Sequence, residues 1–250
     1  MSLPTPLHGH VVLITGGAHR IGAQTARLLH AAGANIVLHF HHSRQAAEQL
    51  QGELEAQRPH SVTLVQGDLL ATSQLPALVE QAVQCWGRLD GLVNNASSFY
   101  ATPVGAITET AWDDLVGTNL KAPLFLSQAA APYLLQSEGS IVNIVDIHAE
   151  RPLKNFPVYS LAKAGLVMLT KSLARELGPK VRVNAVAPGA ILWPEQEMDA
   201  ETREMIVART ALKRQGHPND IAVAVLFLLR DAHYTSGHVL TVDGGRSLNC

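Results

Sequence analysis

Short apolar runs and amphipathic stretches alternate along the chain. Val11-Val12-Leu13-Ile14 contains no polar position, as expected of a strand buried on both faces of a parallel sheet. Further strand-like runs fall at Ala34–Phe40, Ser61–Val65, Gly91–Asn94, Ile141–Val145, Val181–Val186 and His238–Val242. Between them lie helical patterns over Arg20–Ala32, Ser43–Gln57, Ser73–Trp86, Thr110–Leu135, Pro157–Leu177 and Asn219–Leu229. Such alternation predicts an α/β fold with a doubly wound, seven-stranded parallel sheet covered on both faces. The stretch with least pattern, Gly189 to Gln215, follows a Pro188-Gly189 turn and is rich in charge. In a doubly wound fold it lies beyond a strand's carboxyl end, where ligands bind.

Composition narrows the function classes. Hydrophobic residues make up 47% of the 250 positions and charged ones 16%, which suits one compact domain with an ample core. The formal net charge is −2 with no Lys/Arg block, so neither nucleic acid nor an anionic membrane is an expected partner. Cys85 and Cys250 give no disulfide framework and no zinc spacing, and a reducing cytoplasm is the expected home. Met1 to His10 shows no basic stretch followed by an apolar one, so no signal peptide is expected. The longest apolar run, Ile221 to Leu229, is too short to cross a bilayer.

The first strand turns into the first helix through Thr15-Gly16-Gly17-Ala18-His19-Arg20-Ile21-Gly22. A helix N-terminus there aims N–H groups and a positive dipole end at a pyrophosphate, as in Rossmann folds. Gly16 allows the tight turn, and Gly22 allows helix and sheet to approach closely. Arg20 either reaches phosphate, substrate or both, or simply faces solvent. The second strand ends in His39-Phe40-His41-His42-Ser43-Arg44, with no acid before Glu48. An NAD site needs an acid at this point for the ribose hydroxyl. His, Ser and Arg instead donate hydrogen bonds to a 2′-phosphate, so NADPH is the expected cofactor. Arg44 either joins that set or leaves it to His41, His42 and Ser43. The three histidines have no Cys, Asp or Glu nearby to complete a metal site, and none is expected.

Tyr159 and Lys163 are four residues apart and share a helix face. An ammonium beside a phenol lowers its pKa and prepares it to exchange protons. Asp146 stands thirteen residues before Tyr159, at a predicted strand end. Its negative charge opposes phenol ionisation, offsets Lys163 in part, and makes the pair a coupled unit.

The Tyr-x-x-x-Lys pair, the glycine turn and the strand–helix order resemble the short-chain dehydrogenase/reductase family along nearly the whole chain. That resemblance implies a single domain over 1–250, with a cofactor half to about residue 140 and a catalytic and substrate-loop half after it. It implies a catalytic set of Asn119, Asp146, Tyr159 and Lys163, in which Lys163 holds nicotinamide ribose hydroxyls and Asn119 supports a relay water through its backbone. Cofactor contacts are implied for Gly16, His19, Arg20, Ile21, Phe40, His41, His42, Ser43, Asp68, Leu69, Asn95, Ala96, Ser97, Pro188, Gly189 and Ile191. Asp68 would meet the adenine amino group, unless it only caps the next helix. Most family members carry serine where this chain has Asp146, and glycine where it has Arg20. A carboxylate opposite a developing alkoxide is repulsive, so simple ketone reduction is disfavoured, and a ring nitrogen that needs a proton fits better.

Arg20, Asn94-Asn95-Ala96-Ser97-Ser98-Phe99-Tyr100, Asp146 with Tyr159 and Lys163, and the ending Val242-Asp243-Gly244-Gly245-Arg246-Ser247-Leu248 look like the pteridine reductases within that family. Substrate contacts are then implied for Arg20, Ser97, Phe99, Asp146, Phe156 and Tyr159, with Phe99 stacking on a pterin; the alternative is Phe99 as core filler. Hydride would reach C6 of a dihydropteridine with a proton to N5, or C7 of an oxidised one with Tyr159 protonating N8. Trp193-Pro194-Glu195 depart from the expected substrate loop, and His42 stands where an arginine is common. A homotetramer is implied, with Leu248-Asn249-Cys250 near a subunit boundary. The alternative activities are a 3-ketoacyl or sugar reductase, or a non-catalytic NADP-binding sensor, and Asp146 alone serves as no more than a strand-end cap in a degraded relative.

Overall fold

The computed structural model describes residues 7–191 and 200–249. Its centre is an all-parallel sheet of seven strands in the order β3-β2-β1-β4-β5-β6-β7. The strands are β1 (Val11–Ile14), β2 (Asn35–Phe40), β3 (Val62–Gln66), β4 (Gly91–Asn94), β5 (Ser140–Ile144), β6 (Arg182–Pro188) and β7 (Val239–Val242). The winding reverses between β1 and β4, which opens a crevice at their carboxyl ends. Around the sheet pack α1 (Arg20–Ala31), α2 (Arg44–Glu55), α3 (Leu75–Gln84), α4 (Glu109–Val116), α5 (Ala122–Ser137), α6 (Pro157–Leu177), α7 (Ala200–Ala208) and α8 (Pro218–Arg230).

The two-residue period of β1 explains why the run has no polar position. Val12 and Ile14 join a core cluster with Ala26 and Leu29 of α1 and Val225 and Leu228 of α8. Val11 and Leu13 face the other way, onto Leu75 and Leu78 of α3 and Leu126, Ala130 and Leu134 of α5. Each fully buried Leu or Ile side chain contributes roughly 1.5–3 kcal/mol of transfer free energy, so the two-sided core holds the crevice walls in register.

Three expectations are corrected. The predicted single helix over Thr110–Leu135 is broken by a π-helical turn, Gly117–Lys121, between α4 and α5. Pro123 has no N–H to give the Asn119 carbonyl four residues back, so the α ladder cannot run through. Ser73–Trp86 begins as a 3-10 turn, Thr72–Gln74, before α3. The stretch Gly189 to Gln215 carries α7, whose apolar positions are too scattered to give a helical signature. Trp193, Pro194, Glu195 and Cys250 lie outside the described residues. Among the described residues no helix is long and apolar enough to cross a membrane, and no group of three His, Cys, Asp or Glu could hold a metal ion.

Candidate active site

The glycine turn is set by backbone packing. Gly16 has φ +58, and a Cβ there would meet Ala96 Cα at 3.0 Å. A Cβ on Gly22 would meet the Gly16 carbonyl at 2.5 Å, a clash that only glycine avoids. Arg20 opens α1 with φ 51, in the left-handed region, where a side chain costs roughly 1–2 kcal/mol. That is the physical reason glycine suits this position, and it marks Arg20 as a residue kept at a cost. Arg20 and His19 are exposed and Ile21 is half-buried. His19 makes no side-chain cap to α1, and no acid lies in the helix's first turn, so its end is electrostatically suited to an anion.

The turn is wired to both neighbouring strands. The Asn95 amide donates to the Thr15 and Gly16 carbonyls at 2.9 and 3.0 Å. The backbone N–H groups of Asn95 and Ala96 donate to the Thr15 hydroxyl at 2.9 and 3.1 Å. On the other side stands His39, whose bridging role the sequence reading did not single out. Its Nδ1 accepts from Gly16 N–H at 3.2 Å, and its Nε2 lies 3.1 Å from the Gly67 carbonyl. Nε2 is therefore the protonated nitrogen and the ring is neutral. Burial agrees, pushing the His39 pKa down to about 4. The available signal was a polar residue inside an otherwise apolar, doubly buried strand, since such a group needs partners on both sides.

The outer edge of this half lies at the end of β2. His41 and His42 are exposed, with ring centroids 3.6 Å apart, and Ser43 is half-buried. Phe40 is buried at 2% exposure, so it packs the strand end into the core. Arg44 donates to Gln66 at 2.6 Å and pairs with Glu48 at 3.4 Å, while its guanidinium lies over the Phe40 ring. Asp68 accepts from Leu70 N–H at 2.9 Å, and the following 3-10 turn and helix start later, so Asp68 shapes a turn and is not a helix cap. Leu69, Pro188 and Ile191 are buried, and Gly189 abuts Asp243 so tightly that a Cβ would fall 2.6 Å from it.

The catalytic corner lies beyond the ends of β4 and β5. Asp146 caps a 3-10 turn, Ile147–Ala149, with Oδ1 accepting from His148 N–H at 2.8 Å. Its Oδ2 accepts from the Tyr159 hydroxyl at 2.8 Å. One carboxylate therefore both caps the turn and receives the phenol, with an oxygen for each task. Tyr159 sits in the first turn of α6 and is 4% exposed. The expected lowering of its pKa by Lys163 does not hold. Burial, then the charge and hydrogen bond of Asp146, hold the phenol well above its ordinary value, and Ser97 pulls weakly the other way. Lys163 is 2% exposed, and its Nζ donates to the Ile144 carbonyl at 2.9 Å, 5.7 Å from the Tyr159 ring centre. Burial pulls its pKa down to about 8, against the attraction of Asp146.

Asn119 lies in the π turn, fully buried. Its amide nitrogen donates to the carbonyls of Leu115 and Ser98, both at 2.9 Å, which commits Oδ1 to accepting. Ser97 supplies that hydrogen at 2.6 Å. The Ser97 hydroxyl hydrogen therefore has two acceptors within reach, the Asn119 oxygen and the Tyr159 oxygen, whose ionised form it favours. The single phenolic hydrogen is held by Asp146. A proton arriving on Asp146 would free it to point elsewhere.

The aromatic expectation is resolved by exposure. Phe99 is 43% exposed, so it is no core filler. Its ring stacks on Phe156 with centroids 4.6 Å apart and meets Tyr159 edge-on at 4.8 Å. A flat apolar platform therefore adjoins Tyr159. Together these residues can orient a planar substrate and move one proton.

Known proteins share this framework. A family model described as enoyl-(acyl carrier protein) reductase matches residues 16–247. Pteridine reductase 1 of Leishmania tarentolae is 37% identical, over 95% of this chain and 96% of its own. The 3-oxoacyl-(acyl-carrier-protein) reductase FabG of Thermotoga maritima is 36% identical, over 96% and 98%. The corresponding reductase of Staphylococcus aureus is 34% identical, over 93% and 96%. Identity of this order does not choose among substrates, but with the sheet order, the glycine turn and the Tyr159/Lys163 pair it is decisive at a broader level: the chain is an oxidoreductase that belongs to the short-chain dehydrogenase/reductase family.

Proposed function

We propose that the protein is an NADPH-dependent pteridine reductase, which converts dihydropteridines such as dihydrobiopterin, dihydromonapterin or dihydrofolate to their tetrahydro forms. The observation that carries this reading is the 2.8 Å hydrogen bond from Tyr159 to the Asp146 carboxylate, beside the exposed Phe99 ring. A serine-type hydroxyl at position 146 would steady a developing alkoxide, whereas a carboxylate repels one. The same carboxylate suits protonation of a ring nitrogen, and Phe99 suits a flat bicyclic ring. The relatedness to pteridine reductase 1 of Leishmania tarentolae supports it; the equal relatedness to 3-oxoacyl reductases is why chemistry, not identity, decides.

The residues present fit the cofactor. Gly16 and Gly22 leave room where a side chain would collide, α1 opens without an acid or a side-chain cap, and His41, His42 and Ser43 offer donors without a carboxylate. These residues, with Arg20 and Lys163, would hold NADPH, which when bound supplies the hydride. The rest is proton chemistry of the chain itself. Tyr159 keeps its proton at neutral pH because burial and Asp146 oppose the phenolate. It gives that proton to the substrate nitrogen and regains one from solvent, taken up by the half-buried Asp146 carboxylate and passed along the same hydrogen bond. Asn119, fixed by its own two donated hydrogen bonds, accepts from the Ser97 hydroxyl and so holds Ser97 beside Tyr159.

A cytoplasmic homotetramer goes with this reading. Leu161 and Met168 on α6, and Val223 and Phe227 on α8, are exposed apolar side chains that subunit contacts would cover. The functional reading is tested by NADPH oxidation with dihydrobiopterin, dihydrofolate and a panel of ketones, including a 3-oxoacyl thioester. Turnover of ketones with none of either pteridine overturns it, and binding of NADPH without any turnover points to the sensor alternative.

A further inference from the structure

The loop that joins the two acid–base residues also builds a second cavity. It has a volume of about 450 Å³ and is lined by His148, Glu150, Arg151 and Leu153 of that loop, with Arg209 just after α7 and Arg246 in the C-terminal turn. Three guanidiniums from three chain segments face one carboxylate, on a protein whose formal net charge is −2. A concave lining of that sign concentrates positive potential. Guanidinium forks match the geometry of carboxylates and phosphates, and their many N–H donors let an anion join the contacts each arginine already makes within the protein. His148 is tied into the same wall, its Nδ1 lying 2.9 Å from the Arg151 carbonyl.

The cavity is tied to the reaction by its wall. At one end of the loop, His148 N–H bonds Asp146 at 2.8 Å. At the other, Leu153 N–H donates to the hydroxyl of Ser160, the neighbour of Tyr159, at 3.3 Å, and Phe156 stacks on Phe99. One short segment therefore serves the catalytic pair, the aromatic platform and the arginine lining. Resting on the pteridine reading above, we propose that this cavity receives an anionic tail on the substrate's side chain, a carboxylate or a phosphate, with Leu153 against the apolar spacer. The favoured substrates are then pteridines with an acidic substituent, such as dihydrofolate, over those with a neutral polyol chain, such as dihydrobiopterin.

The test is the ratio of kcat/KM for dihydrofolate to that for dihydrobiopterin, in the wild type and in an Arg151→Gln/Arg209→Gln double variant. Both side chains are exposed, so the fold should persist, and circular dichroism checks that it does. The ratio should fall about tenfold or more through KM, and Glu150→Gln should raise it. A phosphorylated dihydroneopterin set against dihydroneopterin separates the sources: a response confined to that pair assigns the tail as phosphate. Unchanged ratios in both pairs, with all pteridines still reduced, overturn the tail assignment alone. Absence of any pteridine turnover, with ketones reduced, defeats the functional reading and the tail assignment with it.

Discussion

The glycine turn and the corner formed by Asp146, Tyr159 and Lys163 lie side by side at the same edge of the sheet, yet they are built on opposite principles. Around the turn, partners are neutral and fully committed: His39 spans Gly16 and Gly67, and Asn95 spans Thr15 and Gly16. No hydrogen there has an alternative place to go. At the corner, burial holds the Tyr159 pKa up and pulls that of Lys163 down, and the phenolic hydrogen is given to a carboxylate that can itself take up a proton. The first arrangement fixes geometry, and the second leaves a proton free to move. Rigidity and proton mobility are thus divided between neighbouring regions.

The largest expected effect falls on the mobile side. Tyr159→Phe removes the donor and should lower kcat by about 10³-fold, while NADPH binding, followed by fluorescence titration, persists. A comparable loss of NADPH binding would show that the corner also holds geometry, and the contrast would fail.

On the rigid side, His39→Leu strands the Gly16 N–H and the Gly67 carbonyl. Each buried group left unpaired costs roughly 1–3 kcal/mol, to be read as a lower Tm and weaker NADPH binding with kcat largely kept at saturation. His39→Gln, which can bridge both groups, should recover part of the loss. Acid should discriminate too. His39 has a folded pKa of about 4 against an ordinary 6.5, so the unfolded chain binds more protons between those values. Its contribution to stability is lost as pH falls from 6.5 towards 4, and His39→Gln should flatten that part of the profile.

A smaller effect concerns alkali. Lys163 titrates near pH 8 when folded and at 10.5 ordinarily. Between those values the unfolded chain again binds more protons, so this group's contribution to stability rises with pH. Activity that depends on the ammonium should nevertheless fall above about pH 8. Rate loss accompanied by unfolding in the same window would assign the decline to the fold instead.

Much of the fold was legible because strands buried on both faces of a parallel sheet are predominantly apolar, as β1 is throughout. Strand ends slipped by a residue or two, since the ladder stops where hydrogen bonds stop and not where hydrophobicity does. The helix over 110–135 read as continuous because its apolar pattern survives the π turn, although Pro123 carried the warning. Tyr159 and Lys163 were legible from local spacing. The direction of the Tyr159 shift was not, because burial by Phe99, Phe156 and neighbouring chain is a tertiary fact. The bridging role of His39, read from sequence only as a possible metal ligand beside His41 and His42, was hidden for the same reason, its partners being 23 and 28 residues away.

The central claim is that Asp146 directs Tyr159 towards a ring nitrogen. Its most direct test is kcat/KM for dihydrobiopterin and for a 3-oxoacyl thioester in the wild type and in Asp146→Ser. The account predicts that the wild type favours the pteridine and that the variant loses about 10²-fold on it, with no matching loss on the thioester. Pteridine reduction unchanged by Asp146→Ser would contradict it.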